Sequence, residues 1–545
     1  MNNVKSYLAL FYYNLLFFSI CFFIIPVCFA TAGEKIYYSV SEYGAIGDGT
    51  TLNTTAIQTA IDVCSDAGGG TVLFTKGTYL TGTIKLRNNV TLYLDAGSIL
   101  LGSTRLEDYP VTICDFRSYT DNYTVRSLIY VEKANNVAIT GRGIIDGQGA
   151  AFKDKRTADE PYKMRPYLIR MIECGNVTVR DVTILNSPMW VQHYLACENV
   201  VIDGITVNSF VAGNNDGIDI DSCSGVRISN CDINSGDDAI VLKATSGRVC
   251  RDVVVSNCVL RSYCNAYKLG TESNGGFENI IFSNSTIYDT RLAAIALEMV
   301  DGAKLERVIV NNIVINNAGT AIFLRLGNRA RPYSARGHWD PDAFIPESGV
   351  TRPGVGTFRD VVVSNIMATG IGITGCSITG IPGHLLRDIT LENIRIIFDG
   401  GGTTEMVNRS VPEKENSYPE FNGFGSLPCY GIYTRHAKNI TFNNIKLLYE
   451  KEDLRPALVF DDVSNLNLFQ FDAELSAEAK ALVWMKKVNG ALVHGCRPSL
   501  KINTFAQLDK CENITIMNND FSNVEKIINS NHTSGKSLFK QNNNK

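Results

Sequence analysis

The amino-acid sequence predicts an all-β fold: a single-stranded right-handed parallel β-helix, a solenoid with a short N-terminal capping helix. Three observations carry this. A phrase of the form "GNVTVRD", "ENVVIDG", "SGVRISN", "RDVVVSN", "ENIIFSN", "ERVIVNN" recurs, its leading apolar residue at 177, 200, 226, 253, 280 and 308, in steps of 23, 26, 27, 27 and 28. A period of this size marks a solenoid. Each phrase alternates apolar and polar residues over four to six positions, the two-residue period of a strand. No helical pattern fills the intervals, which excludes a βαβ sheet and argues against leucine-rich repeats.

The elements follow in chain order. The start, "MNNVKSYLALFYYNLLFFSICFFIIPVCFATAGEK", places Lys5 before a long apolar run and a small-residue end. It reads as a secretory signal peptide over 1–32, cleaved after Ala30 or Ala32. The alternative is an uncleaved anchor, since Tyr7–Ala30 is long enough to span a bilayer; Pro26 and the Ala-Thr-Ala ending favour cleavage. Nine Asn-x-Ser/Thr sequons, from Asn53 to Asn531, agree with an exported chain. "TTAIQTAIDVCSDAGGGTV" has the apolar spacing of one amphipathic helix ending at a Gly run, suited to cap the open end of the solenoid. The solenoid domain is expected over 33–525, with a polar, disordered tail over 526–545. Two stretches lack the phrase and should leave the solenoid as long excursions, 326–356 and 398–429. At Asn230, Asn257, Asn284, Asn312, Asn365, Asn393 and Asn444, four residues after a leading apolar position, Asn should build a structural ladder, because it tolerates left-handed backbone angles.

A formal net charge of -4 argues against nucleic acid as a partner. Of fifteen cysteines two lie in the leader, and the odd remainder requires a free thiol or an intermolecular bond. Cys197 over Cys223 and Cys231 over Cys258 fall one coil apart, open either to bonding or to apolar ladders. No CxxC pair or His-Cys cluster suggests zinc, and neither metal nor other cofactor is expected. No membrane partner is expected after signal cleavage, and the chain should act as a monomer.

Stacking the coils about 4.8 Å apart turns equivalent residues into columns. Ile218 falls over Ile240, Tyr267, Ile295 and Ile322. One column then reads Asp216, Asp238, Asn265, Ala293, with Asp237 beside Asp238. A second reads His193, Asp219, Val241, Lys268, Ala296, and a third Asp221, Lys243, Gly270, Glu298, Arg325. Asp221 with Lys243, and Glu298 with Arg325, are expected as opposite-charge ladder pairs; Asp219 has His193 as a possible partner. Asp216, Asp237 and Asp238 have no cation in their own column. Three converging carboxyls should raise at least one pKa, and an acid held protonated beside one held ionised suits hydrolysis of a glycosidic bond. The plainer alternatives are a calcium site or solvated turn aspartates.

"NNDGIDIDSC" and "SGDDAI" resemble two sequence blocks of glycoside hydrolase family 28, the polygalacturonase family. So do "YGAIGDGTTLNTTAIQTAIDVC", "RPYLIR" from Arg165 and "NSPMWVQH" from Asn186, and the resemblance spans roughly 38 to 330. It implies a secreted β-helix that hydrolyses pectic polysaccharide or oligosaccharide with inversion, Asp237 as general acid, and Asp216 and Asp238 as the pair activating water. The sequence departs from the family at two motifs. Asn265 stands where the family carries the His of Gly-His-Gly, and Ala296, Leu297 and Glu298 stand in place of Arg-Ile-Lys. These departures leave the acids intact and open the choice of pectic substrate: homogalacturonan, or a rhamnogalacturonan- or oligogalacturonide-specific exo mode. A pectate-type lyase and a non-catalytic carbohydrate-binding β-helix are the rival readings. Lys268, Asn265, His193, Trp190 and Arg165 are the candidate substrate contacts, against solvated, ladder-paired or packed roles for the same residues.

Overall fold

The chain builds its solenoid three short strands at a time. Ile218–Asp221, Ser224–Ser229 and Asp232–Ser235 make one coil. Ile240–Ala244, Cys250–Ser256 and Val259–Ser262 repeat it on the next. Each strand pairs in parallel with its copy, Ile218 opposite Ile240, Val226 opposite Val253 and Ile233 opposite Leu260. This computed structural model describes residues 36–153, 164–331 and 353–531, so the expected leader lies outside the described residues. The parallel β-helix expected from the repeat is the architecture found.

The phrase works as its alternation requires. In Ser224–Ser229, Val226 and Ile228 point into the core and Arg227 faces solvent. Burying one such side chain stabilises the fold by roughly 1.5–3 kcal/mol. The polar turn after it is equally regular. All seven ladder asparagines have φ between 52° and 58°, and the Nδ2 of Asn312, Asn365, Asn393 and Asn444 each donates to the Oδ1 of the copy one coil back, at 2.9–3.1 Å. A second ladder, Asn89, Asn136, Asn176 and Asn199, runs along another turn. The expected helix spans Thr54–Asp66 and buries Ile57, Ala60, Ile61 and Cys64.

Two expectations change and one open choice is resolved. The last strand reaches Asn531 and pairs with Ile502–Asp509, so 526–531 belong to the solenoid rather than to the tail; the remainder of that tail lies outside the described residues. Asn53 is 2% exposed, and its carboxamide is spent on Ile46 and on the Thr51 carbonyl, so no glycan fits that sequon in the folded chain. The thirteen cysteines from Cys64 to Cys511 are all free thiols, twelve of them buried, which makes the Cys197–Cys223 and Cys231–Cys258 stacks apolar ladders.

Candidate active site

The sheet that carries the acids breaks the alternation. All four residues of Ile218–Asp221 and all five of Ile240–Ala244 are buried, because loops cover the outer face. Beneath that cover the register reproduces the expected columns: His193, Asp219, Val241, Lys268, Ala296 in one, and Ile218, Ile240, Tyr267, Ile295, Ile322 in the other. The third column breaks where the register shifts between Leu242 and Ala244. That shift carries Glu272 to within 3.5 Å of the Lys243 ammonium.

Asp216, Asp237 and Asp238 each bring one carboxylate oxygen within 4.8 Å of the others. Asp237 is held through its backbone: Ser235 Oγ and Ser262 Oγ both donate to its carbonyl, at 2.7 and 2.6 Å, and its Oδ1 accepts the Asp238 amide at 2.9 Å. It is the most exposed of the three. Asp238 meets donors: the Asn265 amide and Nδ2 reach its Oδ1 at 3.0 and 2.9 Å, and Lys268 Nζ lies 3.3 Å from its Oδ2. Two oxygens 4.8 Å apart can share one water at about 2.8 Å from each, with an angle near ~118°.

The local charges sort the carboxyls. Burial pushes Asp216 well above the ordinary carboxylate range, reinforced by Asp219 and Asp237. Burial and the Asp238 charge push Asp237 up as well. Asp219, wholly buried with neither oxygen hydrogen-bonded, is raised by burial against the pull of Lys243. Glu272 is the carboxyl held low, Lys243 and Arg329 overcoming its burial, so Glu272 carries the charge that balances Lys243. Glu298 is pushed up to about 8 by burial, with Lys268 opposing. These environments let one cluster hold protonated and ionised carboxyls at one pH.

The structure brings Lys268 and Asn265 to the acids, though as supports of Asp238: both are nearly fully buried, and Asn265 Oδ1 is itself bonded to the Ala293 amide at 3.0 Å. His193, Trp190 and Arg165 are corrected as substrate contacts. His193 is inaccessible, donates or accepts at Asp221 Oδ2 at 3.2 Å, and is lowered to about 4 by burial, so it is neutral. Trp190 is 4% exposed, packed against Tyr123, Tyr167 and His193, with Lys243 Nζ 4.7 Å from its ring centre. Arg165 is buried and ties down the loop before Asp216, bonding the Gly213 carbonyl and, at 2.8 Å, Asn214 Oδ1.

The ladder pairs are corrected too. Asp221 stands opposite Lys243 in register, yet its oxygens go to His193 and Thr245. Lys243 Nζ turns instead to Asp216 and Asp219, at 3.7 Å each. Asp216 and Asp238 therefore do have cations, supplied from neighbouring columns. Arg325 caps the carbonyls of Gly380, Glu413 and Lys414 and leaves Glu298 to Lys268.

The sequence reading missed what the excursion at 398–429 brings. Phe421 and Phe424 pack with Ala293, Ala296 and Phe323; small residues at 293 and 296 make room for those rings. This docking sets Tyr418, 53% exposed, with its ring centre 5.5 Å from Lys268 Nζ. Glu420 follows, one oxygen buried without a partner, pushed up to about 7 by burial, with Lys268 opposing and Asp238 and Asp237 reinforcing. Tyr119, from the loop before the strand Ser127–Glu132, accepts a bond from Arg331 at 2.9 Å and packs edge-on to Tyr123, which meets Trp190. No local signal marks Tyr418 and Glu420, since only the docked excursion brings them to the acids.

Comparison with known proteins places the chain in a family. The model of glycosyl hydrolases family 28 matches residues 64–293. A probable polygalacturonase of Vitis vinifera is 30% identical over 379 residues, 66% of this chain and 74% of that one. An exopolygalacturonase of Zea mays is 30% identical over 381 residues, 68% and 85% of the two chains. Among solved structures, the hyperthermoactive exopolygalacturonase of Thermotoga maritima superposes with a TM-score of 0.58 at 22% identity, over 75% of this chain and 91% of that one, a likeness of fold. The chain therefore belongs to glycoside hydrolase family 28, as a polygalacturonase-like glycosidase.

Proposed function

We propose that the chain is a secreted inverting hydrolase of pectic polysaccharide or its oligomers, working by carboxylate acid/base catalysis. The observation that carries this is the asymmetry within the three acids. Asp237, raised and the most exposed of the three, is suited to give its proton to the glycosidic oxygen as the C1–O bond breaks. Asp238, whose Oδ1 accepts two N–H bonds, is suited to take a proton from the attacking water, with Asp216 holding that water from the other side. The oxygen of water ends on C1, the leaving oxygen carries the Asp237 proton, Asp238 returns the proton it took to solvent, and Asp237 takes one back from solvent. Secretion rests on the leader at 1–32; among the described residues no helix is long and apolar enough to cross a membrane.

An exo mode is favoured within this reading. The docked excursion sets Tyr418 and Glu420 beside Lys268 at the acids, and the Zea mays relative is named an exopolygalacturonase. The test is incubation of the purified protein with polygalacturonic acid and, separately, rhamnogalacturonan, with and without chelator. Reducing ends without ultraviolet-absorbing ends, unaffected by chelator, are the expected result, as monomer from the first exposure onward. An ultraviolet-absorbing product would make it a lyase, and no product from either polymer would refute the hydrolase reading of these substrates.

A further inference from the structure

Beside the acids, along the turns that follow the third strand of each coil, runs a cleft of about 330 Å³. Phe210, Arg261, Tyr263 and Arg291 line it, Arg261 and Tyr263 on one coil, Arg291 on the next and Phe210 two coils before. Both guanidinium groups lie over exposed rings: Arg291 is 4.6 Å from the Tyr263 ring centre and Arg261 5.7 Å from that of Phe210. Phe210 and Tyr263 are 43% and 57% exposed, so each offers an open ring face. Neither arginine makes an ion pair among the described residues; Arg291 Nε donates to the Tyr263 carbonyl at 2.7 Å, which fixes its direction. Two acids also line the cleft. Asp289 Oδ1 accepts from Asn317 at 2.8 Å, and Asp399 is exposed.

We infer that this cleft is the subsite for the sugar on the leaving-group side of the scissile bond, with Arg261 and Arg291 taking the carboxylate of a uronate. The chemistry fits that ligand. A guanidinium fork matches a carboxylate, and an exposed ring offers a face to the C–H groups of a pyranose. Position identifies the side. Ser262, in the cleft wall, donates to the carbonyl of Asp237 at 2.6 Å, so the cleft opens next to the group placed to protonate the leaving oxygen. The cations that Ala296 and Glu298 do not supply are then supplied from the turns. This deepens, and rests on, the reading of the chain as a pectic hydrolase.

The test uses the full chain and measures binding apart from turnover. Calorimetric titration with trigalacturonate gives Kd for the otherwise unchanged chain, R261Q, R291Q and the double variant, each also carrying D237N so that the trimer stays uncut, and the same titration is run with the fully methyl-esterified trimer. About ten-fold weaker binding of the acid trimer for each substitution, with the neutral trimer unchanged, is the expected result. Because both side chains face the cleft, far-ultraviolet circular dichroism should match wild type. Equal Kd values across the variants, equal losses on both trimers, or no binding of the acid trimer by D237N alone would overturn the subsite. Binding through these arginines with no product released by wild type would instead refute the hydrolase reading and leave the subsite standing.

Discussion

Replacing Glu298 by Gln should make the protein more stable, increasingly so as pH rises. Glu298 is wholly buried; its Oε1 has no hydrogen-bond partner, Thr271 Oγ1 serves Oε2 at 3.0 Å, and Lys268 Nζ is 3.8 Å away. Burial pushes its pKa from 4.5 to about 8. The folded state therefore binds a proton that the unfolded chain has released, and stability falls as pH rises from 4.5 towards 8. At pH 7 the penalty is on the order of 3 kcal/mol, and at pH 5 it is below about 1 kcal/mol. With about 2.1 cal/mol/K per residue of unfolding entropy, a chain of this length shifts by about 1 °C in Tm for each kcal/mol. E298Q should thus gain about 1 °C at pH 5 and about 3 °C at pH 7 in thermal melts beside wild type. A difference independent of pH, or a loss of stability at pH 7, would refute the assignment of Glu298 as a buried, proton-holding acid.

Asn265→Ala removes the side-chain donor from Asp238 Oδ1; kcat should fall about 10–100-fold with KM within about two-fold, in steady-state kinetics on oligogalacturonate. Tyr418→Ala removes the exposed ring beside Lys268, and KM should rise about five-fold with kcat nearly unchanged, the effect of about 1 kcal/mol of stacking. The pH–rate profile should keep activity well above pH 3.8, because Asp237 holds its proton there, and lose it as that proton dissociates; an alkaline limb near 4 would count against Asp237 as acid.

Much of this was legible in the sequence. The repeat set the coil, and the coil fixed which residues stack: the columns through Ile218 and through Asp219 needed no correction. The acid trio followed from that register. Charge partners were less legible, because a column places Cα atoms while a lysine reaches across columns; Lys243 stands opposite Asp221 yet points to Asp216, Asp219 and Glu272. Burial misled the choice of substrate contacts. His193 sits at an outward strand position, which alternation makes exposed, and Trp190 just before that strand, yet Tyr123 packs on Trp190 and Tyr167 on both rings. Tyr418 and Glu420 lay in a stretch recognised only by its lack of the repeat, and nothing local says where such an excursion docks.

The most direct test of the central claim, that these carboxyls perform hydrolysis with Asp237 as acid, is turnover by Asp237→Asn alongside binding of the same oligogalacturonate. The account predicts that kcat falls by at least about 10²–10⁴-fold while Kd stays within a few-fold of wild type. Wild-type turnover in D237N would contradict it.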